Sequence, residues 1–282
     1  NDGDDPPILF LHGLFGNKSN FQSIAKHINR KTQRKTITVD ARNHGDSPHS
    51  DEMSYSAMTA DVLALLNSLK IQKCVLTGHS MGGKVSMVTA LTEPDVIDKM
   101  IVVDISPSPS ARSTIDFDTY IKAMRNLQFD HSLPRSTMRK YADQQLKPSV
   151  PNSRDRLFLL TNFTEISGHY CWRVNLNAIE RQLRTLYDFD HFSSTYDGPA
   201  LFIGGGNSPY ISPKHYPEIK RLFPRSAVTH IEGAGHWVHS EKPWQFIETL
   251  IDFLNGSLLP SQFNSRTNLE NSKIEIPYMV NR

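Results

Sequence analysis

Cysteine is nearly absent. Of 282 residues only Cys74 and Cys171 carry a thiol, too few for a disulfide framework and without metal-ligand spacing. Cys74 lies inside the strand-like run Lys73 to Gly78, where a free thiol packs as a small hydrophobe, and a reducing compartment is expected. Also missing is any apolar run long enough to cross a bilayer, or a charged-then-apolar signal peptide, so a soluble chain is expected. The chain opens on Asn1 rather than Met, which predicts a processed or truncated start and leaves any targeting segment out of view. Charge of one sign is lacking too: 31 Lys and Arg face 29 Asp and Glu, a formal net charge of +2. The one basic cluster, Arg30-Lys-Thr-Gln-Arg-Lys35, reads as a solvated helix end, which argues against a nucleic-acid partner. The triplets Asn17-Lys-Ser19, Asn162-Phe-Thr164 and Asn255-Gly-Ser257 match the glycosylation acceptor pattern, but such triplets arise easily by chance. There is no internal repeat, and 38% apolar with 21% charged residues excludes disordered and collagen-like chains.

What is present is an alternation of short β-rich apolar runs with helix-period segments, the pattern of a parallel sheet covered by helices. The runs are Ile8 to Leu11, Thr36 to Val39, Cys74 to Thr77 and Met100 to Val103. Their near-continuous hydrophobicity suits strands buried on both faces. Between them, Phe21 to Ile28, Tyr55 to Leu69 and Met81 to Leu91 read as helices. From Pro107 to about Thr195 the alternation stops, and helical patterns dominate at Phe117 to Leu127, Ser136 to Leu146 and Asn177 to Tyr187. Strands then resume at Ala200 to Ile203 and Val228 to Ile231, followed by a helix from Trp244 to Leu254. The expected organisation is therefore an α/β core in two parts, 1–106 and 196–254, with an inserted helical cap at 107–195. A polar tail at 255–282 without a period is open to disorder.

The most informative motif is Gly78-His-Ser80-Met-Gly82, a G-x-S-x-G that follows a predicted strand and opens a predicted helix, the context of a nucleophile elbow. The turn is so sharp that side chains two residues either way would clash, and the amide of Met81 at the helix start points where negative charge develops. A serine hydroxyl needs a base to take its proton. Of twelve histidines, His236 stands in a loop after the last strand, at the sheet edge of the elbow, and comes last in chain order. His239, His27, His49 and His215 read as surface or packing residues, and His12 and His79 as residues that shape the site.

The third member is inferred by elimination. The loop Gly204-Gly-Gly-Asn-Ser-Pro-Tyr210, where many relatives of such folds keep the acid, holds no carboxylate. Asp104, ending the strand after the elbow helix, is the better candidate to fix the imidazole tautomer, against the alternative that it caps the turn Ile105-Ser-Pro107. Gly204-Gly-Gly206 lacks the spacing of a phosphate loop, so no cofactor is implied, and no metal. Leu14, in Leu11-His-Gly-Leu-Phe-Gly16, is expected to give the second oxyanion amide beside Met81. The polar stretch Asp40 to Ser47 reads as a hydrogen-bonded structural loop.

Taken together, His12 to Gly16, Val39 to Pro48, Gly78 to Lys84, Val103 to Pro107, Trp172-Arg-Val-Asn-Leu176 and Gly235-His-Trp237 resemble the alpha/beta-hydrolase superfamily. The similarity is to its esterase group, small bacterial esterases among them, over roughly Pro7 to Leu254. The resemblance implies an α/β-hydrolase fold: a mostly parallel sheet flanked by helices, with an inserted helical cap. It also implies cofactor-free hydrolysis of esters or acylglycerols, usually mitochondrial in animals and otherwise cytoplasmic, with Ser80 as nucleophile, His236 as base and Asp104 as acid. The family has one or two strands before Ile8, so a shortened start with an exposed sheet edge is expected. Some relatives carry Asp where this chain has Asn177, which makes the choice of Asp104 a test case.

The expected activity is attack of Ser80 on an ester carbonyl, an acyl-enzyme, and hydrolysis of that intermediate. The cap's apolar residues, among them Phe117, Tyr120, Phe158, Leu159, Phe163, Trp172 and Tyr187, offer an acyl pocket or simply the cap's own packing. A thioesterase with the same triad is the nearest alternative; a partner-stabilising binding protein with an inactive triad is the alternative from another class. Ser at position 80 argues against the epoxide hydrolases and dehalogenases, which use Asp there.

Overall fold

The computed structural model describes residues 5–109 and 116–257, so the predicted tail lies outside the described residues beyond Ser257. In chain order the strands are β1 (Ile8–Leu11), β2 (Thr36–Val39), β3 (Cys74–His79), β4 (Ile97–Val103), β5 (Phe163–Ile166), β6 (His169–Trp172), β7 (Ala200–Gly205) and β8 (Ser226–Ile231). The helices are α1 (Gln22–Thr32), α2 (Tyr55–Ser68), α3 (Met81–Thr92), α4 (Phe117–Asn126), α5 (Arg135–Leu146), α6 (Ser153–Leu159), α7 (Leu176–Tyr187), α8 (Tyr216–Leu222), α9 (Val238–Glu241) and α10 (Pro243–Leu254). Six strands form one sheet in the order β2-β1-β3-β4-β7-β8, every neighbouring pair parallel. β2 and β8 are its edges among the described residues.

Burial on both faces explains the unbroken apolar runs. In β1, Leu9 and Leu11 enter the core under α2 and α3, whereas Ile8 and Phe10 enter the core under α1 and α10. Alternation thus survives as a choice between two cores rather than between core and water. The basic cluster ends α1, where Gln33 adopts a left-handed C-cap (φ 58°) and Lys and Arg complement the carbonyl end of the helix.

Between β4 and β7 the chain supplies α4 to α7, whose apolar residues Ile121, Met124, Met138, Leu159, Ile179 and Leu183 join the α2/α3 side of the core. Helical periodicity misses the antiparallel hairpin β5–β6 in this segment. Its signal is the two-residue turn Ser167-Gly168, both at positive φ (51° and 77°), as a type I′ turn requires. Asn175 ties the segment to the 40s loop: its amide N–H donates to Asn43 O at 2.9 Å and its side chain to Asn43 Oδ1 at 3.0 Å.

The strand order reverses between β1 and β3, since β2 lies to one side and β4, β7 and β8 to the other. In open parallel sheets such a switch point leaves a crevice beyond the strands' carboxyl ends. The stretches after β1 and β3 that open onto it carry Leu14 and Ser80.

Candidate active site

The elbow is steric in origin. Ser80, between β3 and α3, has φ 52° and ψ −115°, a conformation that costs about 1–3 kcal/mol and persists only where the surroundings enforce it. A Cβ on Gly78 would lie 2.0 Å from Gly82 O, and one on Gly82 would lie 2.5 Å from Leu11 O, so both glycines are required by backbone crowding. The Ser80 N–H donates to Val103 O at 3.0 Å, pinning the turn to β4.

Around Ser80 the three residues expected from the sequence converge. Ser80 Oγ lies 3.1 Å from His236 Nε2, and His236 Nδ1 lies 2.7 Å from Asp104 Oδ2. A carboxylate only accepts, so Nδ1–H donates to it and Nε2 is left to accept from the serine hydroxyl. His236 sits in the loop after β8; its carbonyl accepts from His79 Nε2 at 2.8 Å, and Tyr210 packs on its ring with centroids 4.2 Å apart. Asp104 is fully buried and follows β4 at φ 50°. Its Oδ1 accepts from Gly205 N–H at 2.9 Å, and Oδ2 accepts from Ser208 Oγ as well as from His236. Three donors make an otherwise costly buried carboxylate tolerable. Asn177, the other position considered for an acid, is exposed at the start of α7.

The β7 loop that lacks a carboxylate contributes instead the donors that hold one. Sequence reasoning missed Ser208 in that role, because a hydroxyl partner of an acid carries no spacing signal. Hydrogen bonds to a charged group contribute about 1.5–3 kcal/mol. Ser208→Ala is therefore expected to lower kcat by about ten- to a hundredfold, with near-wild-type melting as the check that the fold persists.

Leu14 and Met81 both line the small apolar cavity over Ser80, with Tyr55, Lys84, Leu183 and Leu186. As the first residue of α3, Met81 has an N–H without an intrahelical partner. The Leu14 turn is braced by two neutral histidines. His12 Nδ1–H donates to Gly13 O at 2.8 Å while its Nε2 accepts from Ala41 N–H at 3.0 Å; His44 Nδ1–H donates to Arg42 O at 3.0 Å while its Nε2 accepts from Phe15 N–H at 3.1 Å. Asp40 completes the brace, accepting from the amides of Lys18 (2.7 Å) and Asp46 (3.0 Å) and pairing with the Lys18 ammonium (2.9 Å). Burial works against its charge, but these donors prevail and hold its pKa below the ordinary carboxylate value.

Lys84, one turn beyond Ser80, is buried and aims at the end of α7. Its Nζ donates to Leu186 O (3.3 Å), Tyr187 O (2.9 Å) and Asp188 O (2.8 Å), and Tyr55 Oη donates to Leu186 O at 2.6 Å. Cationic donors at a helix C-terminus satisfy orphan carbonyls, which seats α7 over the cavity. Burial brings the Lys84 pKa down to about 7, with Asp188 opposing.

Burial lowers His12, His44, His79 and His239 below the ordinary histidine value of 6.5, His44 and His239 to about 3. His239 is thus a core residue, stacked on Phe21 with centroids 4.5 Å apart. The unfolded chain takes up these protons below about pH 6.5 and the folded chain does not, so stability is present above that pH and is lost as pH falls. The slope reaches about 1.4 kcal/mol per pH unit for each of His44 and His239 once the pH is well below 6.5. Thermal melts between pH 7 and 5 are expected to fall steeply; a flat Tm would contradict neutral burial of this group.

Two larger cavities flank the small one. An apolar cavity of about 320 Å³ lies between α2, α3 and the ends of β1 and β2, lined by Met81 but by neither Ser80 nor His236. A polar trough of about 420 Å³ runs between α4, α6 and the β7 loop and is lined by His236. Among the described residues no group of three or more His, Cys, Asp or Glu is arranged to hold a metal ion, and no helix is long and apolar enough to cross a membrane.

Comparison with known proteins supports the family and the fold. The profile of the alpha/beta hydrolase fold family matches residues 6–243. The chain is 52% identical to the sn-1-specific diacylglycerol lipase ABHD11 of Xenopus laevis over 89% of this chain and 80% of that protein. It is 33% identical to the esterase YbfF of Escherichia coli K12, over 90% and 95% of the two chains. Among solved structures it is similar to a marine microorganism esterase, with TM-score 0.82, 33% identity and coverage of 89% and 96%. The chain therefore belongs to the alpha/beta hydrolase fold family, in the group that holds the ABHD11 lipases and their small bacterial esterase relatives.

Proposed function

We propose that the chain is a serine hydrolase that cleaves carboxylic esters, acylglycerols among them, through an acyl-enzyme on Ser80. The observation that carries this reading is the continuous hydrogen-bond chain Ser80 Oγ, His236 Nε2, His236 Nδ1, Asp104 Oδ2. His236 takes the Ser80 proton as the oxygen attacks the ester carbonyl, and Asp104 keeps the imidazole tautomer fixed and stabilises the imidazolium. The amides of Leu14 and Met81 receive the developing oxyanion, where one donor is worth about 3 kcal/mol. His236 then gives the proton to the departing alcohol, and water, activated by the same histidine, releases the acid.

The segment 107–195 acts as a cap over this site, held by Lys84 and Tyr55 through the end of α7. An acylglycerol substrate is supported by the similarity to the sn-1-specific diacylglycerol lipases ABHD11, and a mitochondrial location by the family resemblance alone, which fractionation of cells making the natural protein tests. For the activity, purified protein is assayed on a panel of short and long acyl esters, diacylglycerols and thioesters. Hydrolysis of carboxylic esters ahead of thioesters, lost in Ser80→Ala, is the expected result; preference for the thioesters, or no Ser80-dependent turnover, would overturn it.

A further inference from the structure

The two spaces on either side of Tyr210 differ in chemistry. The cavity over Ser80 is about 30 Å³ and walled by Leu14, Phe117, Leu183, Leu186 and Tyr187. The trough on the far side of Tyr210, which lines both, is about 420 Å³ and presents Thr119, Tyr120, Asn152, Asp155, Asn207 and Ser208. An ester carbonyl held at Ser80 divides its molecule between such spaces. The acyl chain starts at the apolar wall, because polar groups lose more than alkyl groups by leaving water, although a space of about 30 Å³ takes only its first carbons. The alcohol oxygen lies within reach of His236, since that residue protonates it as it departs. The alcohol portion is thereby directed into the trough.

Within the trough, Tyr120 Oη on α4 donates to Asp155 Oδ2 on α6 at 2.5 Å. Asp155 Oδ1 is buried with no protein partner among the described residues, a condition that buried polar atoms rarely keep. Asp155 and Tyr120 both line the trough, so the pair offers it acceptors that an uncharged donor such as a hydroxyl can meet. The described lining contains two carboxylates, Asp116 and Asp155, and no lysine or arginine, so a phosphate or carboxylate on the alcohol meets like charge without a counter-ion.

From this we infer that the trough is the leaving-alcohol subsite, with Asp155 and Tyr120 as specificity-determining residues that select an uncharged, hydroxyl-bearing alcohol such as a glycerol unit over plain alkyl alcohols and anionic head groups. The inference rests on the hydrolase reading above and adds the substrate side that its leaving group occupies. Sites that hydrogen-bond a substrate hydroxyl discriminate against analogues lacking it far more strongly than apolar pockets discriminate by size.

The test uses three esters of one medium-chain acid: the glycerol monoester, the propyl ester and the acylated glycerol 3-phosphate. In the wild type, kcat/KM for the glycerol ester is expected to exceed that for the propyl ester by about tenfold or more, with the phosphate ester slowest. In Asp155→Ala and Tyr120→Phe the glycerol-to-propyl ratio falls toward unity, and in Asp155→Asn the penalty on the phosphate ester shrinks. Each ratio is taken on one preparation, so a lower folded fraction cancels. A wild-type ratio near unity, or one unchanged in all variants, overturns the subsite while Ser80-dependent cleavage of the propyl ester leaves the hydrolase reading intact. Loss of Ser80-dependent cleavage of every ester overturns both.

Discussion

Replacing Ser80 with Ala is expected to lower kcat by about a millionfold with little change in KM, the scale on which loss of the nucleophile acts in serine hydrolases. The side chain removed is small, and the elbow conformation is enforced by Gly78, Gly82 and the Ser80 N–H bond to Val103 O rather than by the hydroxyl. The variant therefore folds, and its loss of rate reads chemistry rather than stability. A residual rate above the uncatalysed reaction is expected from the oxyanion amides and binding alone. Steady-state kinetics on a chromogenic ester, with a matched melt, measures both terms; a loss of only tenfold would mean that another group carries the acyl transfer.

Asp104→Asn is expected to cost about ten-thousandfold in kcat, through the tautomer of His236 rather than through charge as such. In the wild type the carboxylate accepts from Gly205 N–H, Ser208 Oγ and His236 Nδ1–H. An amide offers a single acceptor oxygen, and its NH₂ must face one of those donors. With the oxygen turned to Gly205, the NH₂ takes the place of Oδ2 and donates to Ser208 Oγ and His236 Nδ1; the imidazole proton moves to Nε2, and Ser80 faces a donor where it needs an acceptor. Rates followed from pH 6 to 9 check this, since no pH restores the lost tautomer. Activity within tenfold of wild type would move the acid elsewhere in the chain.

The sequence carries some layers of this structure openly. The inner strands β1, β3, β4 and β7 announce themselves as apolar runs because both faces are largely buried, and Ser80 is visible because its turn demands two glycines at fixed offsets. His236 is visible through chain order and its place after the last strand. Asp104 is visible only by elimination, since an aspartate at a strand end caps turns as readily as it orients a base. What stays hidden depends on residues far apart in the chain. Lys84 reads as one more helix lysine until α7 brings carbonyls 186 to 188 to its Nζ. Ser208 becomes a partner of Asp104 only when β4 and β7 pair in register. The β5–β6 hairpin hides because its strands are short and only partly buried, leaving Ser167-Gly168 as its sole local mark.

These layers meet at His236. On one side it faces the strained serine, and on the other a polar trough that the inserted segment builds with α4 and α6. On the proposed reading, the sheet's switch point fixes the reacting atoms and the segment between β4 and β7 selects what is brought to them.

The most direct test of this account is covalent labelling of the purified protein with a fluorophosphonate, read by mass spectrometry of its peptides. The account predicts one adduct, on Ser80, absent in Ser80→Ala and formed much more slowly in Asp104→Asn. An adduct on another residue, or equal labelling of the Ser80→Ala protein, would contradict it.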